Sequence, residues 1–424
     1  MNDPDYRAHW SWAFYDWANS AFATAVMAGF FPVFFKQYWN AGVSVTESTF
    51  RLGMANSIAS LVVVFLSPLL GAVADRLERR KALLLLFTAL GVVMTGGLYF
   101  VAEGHWALAA LLYVCGVLGF SGGNLFYDSL LVFIAQPEDY DRLSARGFAL
   151  GYLGGGLLFA GNVLIVERPH WFGLSDQVEA VRVAFLCVGF WWAAFSIPLF
   201  LFVKEPSDPR PRQRPLHGIL ADLQRLAQTV RDVGKLPHTF LFLVAYWIYI
   251  DGVDTIIRMA VDYGLALGFP ANSLILALLI TQFVGFPATL LFGHLGKRIG
   301  VKRGILLALG VYILVTLGGA AMHQVFQFYV LAVAIGLVQG GVQALSRSLY
   351  ARLIPHARAA EFFGFYNMVG KFAAVIGPAL VGWVAMLTQS NRLSILSVLV
   401  LFLVGAVLLL KVNIEAGITA ATRI

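Results

Sequence analysis

The chain has 424 residues, of which 59% are hydrophobic and only 12% are charged, against about 25% charged in a typical soluble domain. Its apolar runs are as long as a membrane-spanning helix requires, whereas the strands of a membrane barrel would be about 10 residues long and alternating. We therefore predict an all-α membrane protein whose solvent is the lipid bilayer. The net charge of +7 does not indicate a nucleic-acid partner, because the basic residues lie in short loops between apolar runs.

Twelve apolar runs follow one another along the chain, and each is long enough for one transmembrane helix. Six precede the longest polar stretch and six follow it. The approximate centres of the runs are Thr24, Leu61, Gly91, Gly119, Gly154, Phe190, Asp251, Gln282, Leu309, Gly340, Phe372 and Leu401.

The long polar stretch divides the chain into three regions. Residues 1–203 are predicted to form a six-helix N-terminal bundle, residues 204–236 a linker, and residues 237–424 a six-helix C-terminal bundle. The linker begins with a proline-rich basic segment and continues with apolar residues at helical spacing from Leu216 to Val233. This pattern predicts an amphipathic helix on the inner membrane surface, although a calmodulin-type target would share it.

The basic residues are distributed unevenly between the two sides of the membrane. The loops after spans 2, 6 and 8 carry four, seven and four Lys and Arg residues, and the loops after spans 3, 7 and 9 carry none. The positive-inside rule then places both termini and the linker in the cytoplasm.

A glycine followed by a short basic turn occurs once in each half. Residues 71–81 read GAVADRLERRK, and residues 293–303, which lie 222 positions later, read GHLGKRIGVKR. The glycine pair at 122–123 followed by Pro137 likewise matches the pair at 340–341 followed by Pro355. Two halves repeated in the same orientation indicate a transporter with its substrate site between them, near mid-membrane.

The first basic turn resembles the signature of the major facilitator superfamily, which is Gly-x-x-x-Asp-Arg-x-x-Arg-Arg/Lys after the second span. Gly71, Asp75 and Arg76 match this signature, and so does the basic run at 79–81. The second copy departs from it at Lys297, where the acidic residue is absent.

Other stretches resemble the vacuole-effluxer branch of that superfamily, the autophagy-related vacuolar amino-acid exporters and their bacterial relatives. They are YDWANSAF (15–22), AYWIYIDGVDTI (245–256), GGVQALSRSLYARLIP (340–355) and FFGFYNMVGKFAAVIGP (362–378). The resemblance implies two pseudo-symmetric six-helix bundles in the major facilitator fold, a monomer, and a bacterial inner-membrane location. It favours an amino acid as the small-molecule substrate, and we expect neither a cofactor nor a metal site.

Ionisable groups inside the spans are candidates for proton coupling, because burying a charge in lipid is costly unless it has a role or a partner. Asp251 is the main candidate, since it lies 14 residues past Pro237 and so near the middle of its span. Asp16 and Asp128 are further candidates, although a hydrated carboxylate at a helix end would explain Asp16 equally well. If Asp251 couples protons, replacing it with Asn should abolish pH-driven uptake and leave exchange of bound substrate intact.

Candidate substrate-binding residues lie at similar depth. Lys371 follows Glu361 by ten residues, and it either pairs with an aspartate or receives an anionic group of the substrate. The other candidates are polar or aromatic residues within spans: Asn19, Asn124, Gln339, Gln343, Tyr249 and Asp254. Hydrogen bonds between packed helices, or an ion pair of Asp254 with Arg258, would explain several of them without a substrate.

By family likeness, the first basic turn acts as a gate. The residues assigned to gating are Gly71, Asp75, Arg76 and Arg80, with Arg298 and Arg347 in the second half. Asp75 could cap the N-terminus of a neighbouring helix, or pair with arginines of the other bundle, in one conformation only. A solvated loop that only sets the topology is the alternative.

The predicted function is secondary transport of a small polar metabolite by alternating access, coupled to protons. The alternative is a lipid or amphiphile flippase of the same fold. An enzyme is not predicted, because the eight histidines are scattered and no HExxH motif is present. A nucleotide-driven pump is not predicted either, because the chain has no Walker motif.

Overall fold

The computed structural model describes residues 4–77, 79–205 and 234–423, and these residues are almost entirely helical. The first helix, α1, runs over Pro4–Ala21 and continues to Trp39 through wider π-helical turns at Phe22–Phe30 and Phe35–Trp39. The helices that follow are α2 (Val45–Leu77), α3 (Arg80–Gly97), α4 (Trp106–Ile134), α5 (Tyr140–Glu167), α6 (Gln177–Phe202), α7 (Pro237–Ala266), α8 (Ala271–Ile299), α9 (Val301–Ala321), α10 (Val325–Arg352), α11 (Ala359–Thr388), α12 (Asn391–Leu396 with Leu399–Lys411) and α13 (Ile414–Ala421).

Within the described ranges, eleven helices are long and apolar enough to cross a membrane. They are α1 to α10 and α12. Helix α11 has 30 residues, and within the part of it whose side chains are described, the apolar stretch is Ile376–Thr388. Each predicted centre lies on one of the helices α1 to α12. The all-α class is therefore confirmed, and the twelfth span remains a prediction. Residues 206–233, which contain the whole amphipathic pattern from Leu216 to Val233, lie outside the described residues.

Local sequence signals set the ends of several helices. Asp176 caps α6, because its carboxylate accepts a hydrogen bond from the backbone N–H of Glu179 at 2.8 Å. Gln324 begins α10 with a reciprocal capping box. Gly300 separates α8 from α9 with φ near +90°, a backbone conformation that side chains disfavour. These caps satisfy backbone groups that lipid could not.

The helices pack in two sets that follow the chain order. In the first half, α1 packs on α5 and α6, and α3 packs on α4 and α6. In the second half, α8 packs on α10, α9 on α10, and α7 on α12. The two halves meet chiefly where α2 lies against α11 and where α5 lies against α8 and α10. Large apolar side chains such as Phe65, Phe190 and Leu291 point outwards, as contact with lipid requires.

Both basic turns lie at the same end of the bundle, which we call the basic-loop end. There α2 and α11 approach each other so closely that their backbones touch. A methyl group added at Gly71 would overlap the carbonyl of Ala360, and one added at Gly364 would overlap the carbonyl of Ser67. Only glycine fits at these two crossing points.

Candidate functional site

A cavity lies between the two halves and consists of two adjoining chambers. The charged chamber, of about 230 Å³, contains Asp128 and Arg347 in its wall, and the polar chamber, of about 370 Å³, extends from it. Asp16, Asn124 and Gln343 border both chambers. The cavity therefore draws on both halves, as a substrate site at a repeat interface requires.

An ion cluster joins the halves at the charged chamber. The Arg347 guanidinium on α10 donates to the Asp128 carboxylate on α4 at 2.9 Å and to the Asp16 carboxylate on α1 at 3.4 Å. The Tyr127 hydroxyl donates to the same Asp16 oxygen at 2.8 Å. Arg347 is 2% exposed. A guanidinium buried this deeply needs such partners, because an unpaired buried charge is strongly destabilising.

Every N–H group of the Arg347 guanidinium has an acceptor within the protein. Its Nε donates to the Ser144 hydroxyl at 2.9 Å, and its Nη2 donates to the Ser144 carbonyl at 2.9 Å and to Asp16 at 3.4 Å. Its Nη1 donates to Asp128 and Asp16. These are the five donors that a guanidinium has. The rings of Trp12 and Phe148 cover its faces, with centroids at 4.8 and 4.3 Å.

Uncharged polar side chains also line the cavity. Asn19 donates to the Asn124 side-chain carbonyl, and the Tyr152 hydroxyl donates to the Gln343 side-chain carbonyl at 3.0 Å. Asn19 and Gln339 border the polar chamber. The structure thus brings Asn19, Asn124, Gln339 and Gln343 to one cavity, where the sequence analysis placed them as substrate residues.

Two predicted substrate residues have different positions. Asp254 borders the charged chamber. Tyr249 is fully buried, and its hydroxyl shares a hydrogen bond with Ser346 at 2.6 Å. It borders neither chamber, and its ring points into the packed core of the second half. Tyr246, one turn earlier, borders the chamber instead and stacks on Tyr366 at 4.2 Å between ring centroids.

Asp251 lies away from both chambers. Its two carboxylate oxygens each accept the backbone N–H of Gly377 at 3.0 Å, and Thr255 lies beside it. Pro378, the next residue of α11, interrupts the helix ladder at this point. The Asp251 carboxylate therefore accepts a hydrogen bond from the backbone of α11, and it joins two helices of the same half.

Two side chains singled out in the sequence are outside the described residues. They are Lys371, whose backbone belongs to α11, and Arg258, whose backbone belongs to α7. Gly370, the neighbour of Lys371, borders the charged chamber. The predicted contacts of Lys371, and the ion pair of Asp254 with Arg258, stay predictions.

At the basic-loop end, the Asp75 carboxylate bridges the halves. It accepts the backbone N–H of Glu361 at 2.8 Å and that of Ala360 at 3.3 Å, both in the first turn of α11. It also accepts the Arg80 guanidinium at 2.6 Å. This is the helix-capping geometry that the sequence analysis named for Asp75, with a charge that favours a helix N-terminus. Arg76 is half-buried nearby, and Arg298 of the second turn is exposed.

The α4–α5 connection makes a second contact between the halves, which the sequence analysis missed. Asp141 on α5 accepts the Arg352 guanidinium of α10 at 2.8 Å and a hydrogen bond from the Ser348 hydroxyl. The Tyr140 hydroxyl lies 3.4 Å from His356. Burial lowers the pKa of His356 and so favours its neutral form. The pairing of Pro137 with Pro355 in the repeat was the sequence signal that marked these two connections.

Ser121 also borders the charged chamber, and it is 1% exposed. The segment Gly119–Gly123 has the spacing GxSxG of hydrolase nucleophiles, which the sequence analysis did not note. In a hydrolase this serine lies on a sharp turn from a strand into a helix. Here Ser121 lies in the middle of α4, so the motif has no catalytic geometry.

Comparisons with known proteins agree with this architecture. A family model described as "Vacuole effluxer Atg22 like" matches residues 41–139 and 135–422. The uncharacterized MFS-type transporter YxiO of Bacillus subtilis is 36% identical over 409 residues, which cover 96% of this chain and 95% of that protein. Autophagy-related protein 22 of Yarrowia lipolytica is 25% identical and is matched over 77% of its length, covering 89% of this chain.

Solved structures share the fold at low identity. The human organic anion transporter MFSD10 superposes with a TM-score of 0.74 at 15% identity, covering 96% of this chain and 100% of that one. The proton:xylose symporter XylE gives a TM-score of 0.71, also at 15% identity, with 96% and 94% covered. The chain therefore has the major facilitator fold, whose members are transporters and not enzymes.

Proposed function

The chain belongs to the Atg22-like vacuole effluxer family of the major facilitator superfamily, and from this premise we propose that it is a proton-coupled secondary transporter. Its substrate is a small polar metabolite, with amino acids favoured by the resemblance of its motifs. It works by alternating access between two six-helix bundles, residues 1–203 and 237–424. We place it as a monomer in a bacterial inner membrane, with both termini and the linker in the cytoplasm.

The observation that carries this proposal is the ion cluster of Asp16, Asp128 and Arg347 at a cavity between the halves. The two carboxylates belong to the first half, and the guanidinium belongs to the second. A rocking movement that separates the halves at the basic-loop end has to pull Arg347 away from its partners. A carboxylate left in this buried place needs a proton or water to replace the guanidinium.

This arrangement favours Asp128 and Asp16 over Asp251 as the proton-coupling groups. Asp251 bonds α11 of its own half, so rocking of one half against the other leaves its contacts intact. The gate is the contact of Asp75 with α11, supported by the pair of Asp141 and Arg352. With the predicted orientation, these contacts close the cytoplasmic side and make the described state outward-facing.

Uptake into proteoliposomes tests the proposal. The purified protein is reconstituted, and uptake of amino acids, short peptides and sugars is measured with and without a pH gradient. Asp128→Asn should lower gradient-driven uptake by about tenfold or more and preserve exchange of substrate between the two sides, because the neutral side chain no longer binds and releases a proton. Glu103→Gln, which changes an exposed carboxylate in the α3–α4 connection, serves as the control and should transport normally.

The variant Asp251→Asn distinguishes proton coupling by Asp251 from proton coupling by the ion cluster. We expect it to retain gradient-driven uptake. If Asp251→Asn abolishes that uptake and Asp128→Asn does not, the original prediction for Asp251 is right and the ion cluster has another role. If no compound in the panel is taken up by correctly folded protein, the choice of a polar metabolite is wrong.

An apolar pocket favours an amphiphile as the second candidate substrate. It lies within the second half and is lined almost wholly by apolar side chains, including Ile256, Leu274 and Phe328. Leu278 and Thr281 of α8 border both this pocket and the polar chamber. An amphiphile could place its polar group in the chamber and its chain in the pocket. Transfer of a short-chain fluorescent phospholipid between leaflets, measured in the same liposomes, would support this alternative.

A further inference from the structure

Carboxamides are the main polar groups in the wall of the polar chamber. The charged side chain within the described part of this wall is that of Asp16, and its carboxylate already accepts hydrogen bonds from Tyr127 and Arg347. A carboxamide offers a carbonyl that accepts and an NH2 group that donates, and it carries no charge. The five carboxamides of the wall come from both halves: Asn19, Asn124, Gln282, Gln339 and Gln343.

Three of these carboxamides are held by the protein at one end and are open to the cavity at the other. The engaged ends are the Asn124 carbonyl with Asn19, the Gln343 carbonyl with Tyr152 at 3.0 Å, and the Gln282 NH2 group with Thr24 at 2.7 Å. The opposite ends have no hydrogen-bond partner among the described residues and are not sealed from the cavity, since all three side chains are half-buried in its wall. Each free end is therefore fixed in place before a ligand arrives.

Gln339 adds a fourth free end. It lies one turn before Gln343 on α10, so the two side chains share one face of that helix. The Tyr152 hydroxyl neighbours Gln339 as well, but its single proton goes to Gln343, so towards Gln339 it can only accept. The Gln339 carbonyl is left for a ligand. The four free ends are thus two NH2 groups, of Asn124 and Gln343, and two carbonyls, of Gln282 and Gln339.

Free donors and free acceptors in one wall select a ligand group that can do both. A hydroxyl or a carboxamide donates to the carbonyls and accepts from the NH2 groups. A carboxylate only accepts and would leave the carbonyls without a donor, whereas an apolar group would leave every free end unpaired. A protein group that loses its hydrogen bonds in this way costs free energy, so a site of this kind discriminates strongly against such analogues.

We propose that the polar chamber recognises an uncharged group of the substrate that both donates and accepts hydrogen bonds, which is a carboxamide or a hydroxyl. The recognising side chains are Asn124, Gln282, Gln339 and Gln343. This inference rests on the proposed transport function and defines its substrate class more narrowly. It also adds Gln282 to the substrate residues that the sequence analysis named. The group belongs either to the side chain of an amino acid or to a polyol or sugar.

Two sets of matched probes test this inference. The amino-acid set is glutamine, glutamate and homoleucine, whose side chains have nearly the same shape and end in a carboxamide, a carboxylate and an isopropyl group. The polyol set is xylitol and pentane-1,5-diol, which share a five-carbon chain and differ in the number of hydroxyls. Binding to the purified full-length protein in detergent is measured by isothermal titration calorimetry, which detects binding whether or not the probe is transported.

Glutamine should bind at least about tenfold more tightly than glutamate and homoleucine, or xylitol at least about tenfold more tightly than pentane-1,5-diol. The first result identifies an amino-acid side chain as the source of the group, and the second identifies a polyol. Gln339→Leu, and Gln343→Glu, which keeps an acceptor for Tyr152, should each weaken binding of the preferred probe by about three- to tenfold. Gln37→Leu changes an exposed glutamine near the end of α1 and should bind the probes as the unchanged protein does.

Binding of homoleucine or glutamate as tight as that of glutamine, without a preference for xylitol over its diol, would overturn the inference. So would undiminished binding in both Gln339→Leu and Gln343→Glu. If none of the probes binds while another compound is taken up in liposomes, the ligand class is wrong and the transport function stands. If nothing is taken up in liposomes either, the proposed function fails with it.

Discussion

The two basic turns occupy the same place in the two halves but connect the halves differently. In the first turn, Asp75 is buried, and its carboxylate bonds the first backbone N–H groups of α11 and the Arg80 guanidinium. The corresponding residue of the second turn is Lys297, which is half-exposed. It lies 4.0 Å from Asp139, in the turn just before α5. The sign of the charge is reversed, and the contact has moved from the interior to the surface.

One feature is nevertheless shared by both turns. The Lys81 ammonium group donates to the carbonyls of Phe200 and Val203 at the end of α6, at 2.9 and 2.6 Å. The Lys302 ammonium group donates to the carbonyls of Leu410 and Val412 at the end of α12, at 2.6 and 2.8 Å. A lysine in each half therefore caps the C-terminus of the last long apolar helix of that half.

The comparison teaches that the repeat preserves the packing of the helices, within and between the halves, while the charged contacts between the halves differ in sign and burial. A lysine on a helix C-terminus stabilises one bundle, and both bundles need it. A buried carboxylate on the other half's helix favours one conformation of the whole protein. At the other contact between the halves, the buried charge pair is that of Asp141 on α5 and Arg352 on α10.

Among the substitutions in the two turns, replacing Asp75 should have the largest effect on the contact between the halves. In Asp75→Asn, the buried Arg80 loses its close anionic partner and the N-terminus of α11 loses its negative cap, so we expect the closed contact to weaken by about 2–4 kcal/mol. The measurement is alkylation of Ser144→Cys, placed between the halves, by a membrane-impermeant thiol reagent applied from the basic-loop end. We expect labelling to become at least about tenfold faster.

Asp75→Glu provides the control, since it keeps the charge and changes only the reach. It should label more slowly than Asp75→Asn. Equal labelling of the unchanged protein and Asp75→Asn would mean that the carboxylate does not hold the halves together.

The two capping lysines should have intermediate and similar effects. Lys81→Met and Lys302→Met each remove two hydrogen bonds from an ammonium group to helix-end carbonyls, and we expect a loss of about 1–3 kcal/mol of stability for each. Thermal unfolding in detergent measures the effect as a lower transition temperature. Substrate exchange should continue below that temperature. A large effect in one variant and none in the other would contradict the equivalence of the two contacts.

Replacing Lys297 should have the smallest effect on the contact between the halves. Its contact with Asp139 is long and half-exposed, with 48% and 47% of the two side chains accessible. Such pairs contribute about 0–1 kcal/mol, and salt screens them. With Ser144→Cys as the labelled site, the protein carrying Lys297→Gln should therefore be alkylated as fast as the protein that keeps Lys297, in low and in physiological salt. Faster labelling, by the same factor as in Asp75→Asn, would show that both turns hold the halves together.

Much of the fold was predictable, because lipid forces every span to be a long apolar helix. The order of the helices follows from this constraint, whereas the repeat was seen by matching segments of the sequence and the signature turn by its resemblance to a known family. The polar residues Asn124, Asp128 and Gln343 were singled out from their positions within spans. The structure brings them to one cavity together with Arg347, which the sequence analysis assigned to gating.

The charge partners were not predictable in the same way. Asp251 was the main candidate because it lies near the middle of its span. Depth in the membrane does not show which neighbour a side chain faces. Asp251 faces the backbone of α11. Asp16 was judged to be near a hydrated helix end. Its partner Arg347 is 331 residues away in sequence, and no periodicity within one helix can reveal a contact at that separation.

The close crossing of α2 and α11 at two glycines has a consequence for the conformational entropy of opening and closing the contact between the halves. Where Gly71 meets Ala360 and Gly364 meets Ser67, the surfaces that part are largely backbone. Helical backbone is ordered whether the contact is made or broken, so few side-chain rotamers are frozen or released at these points. Opening and closing there therefore carries little side-chain conformational entropy.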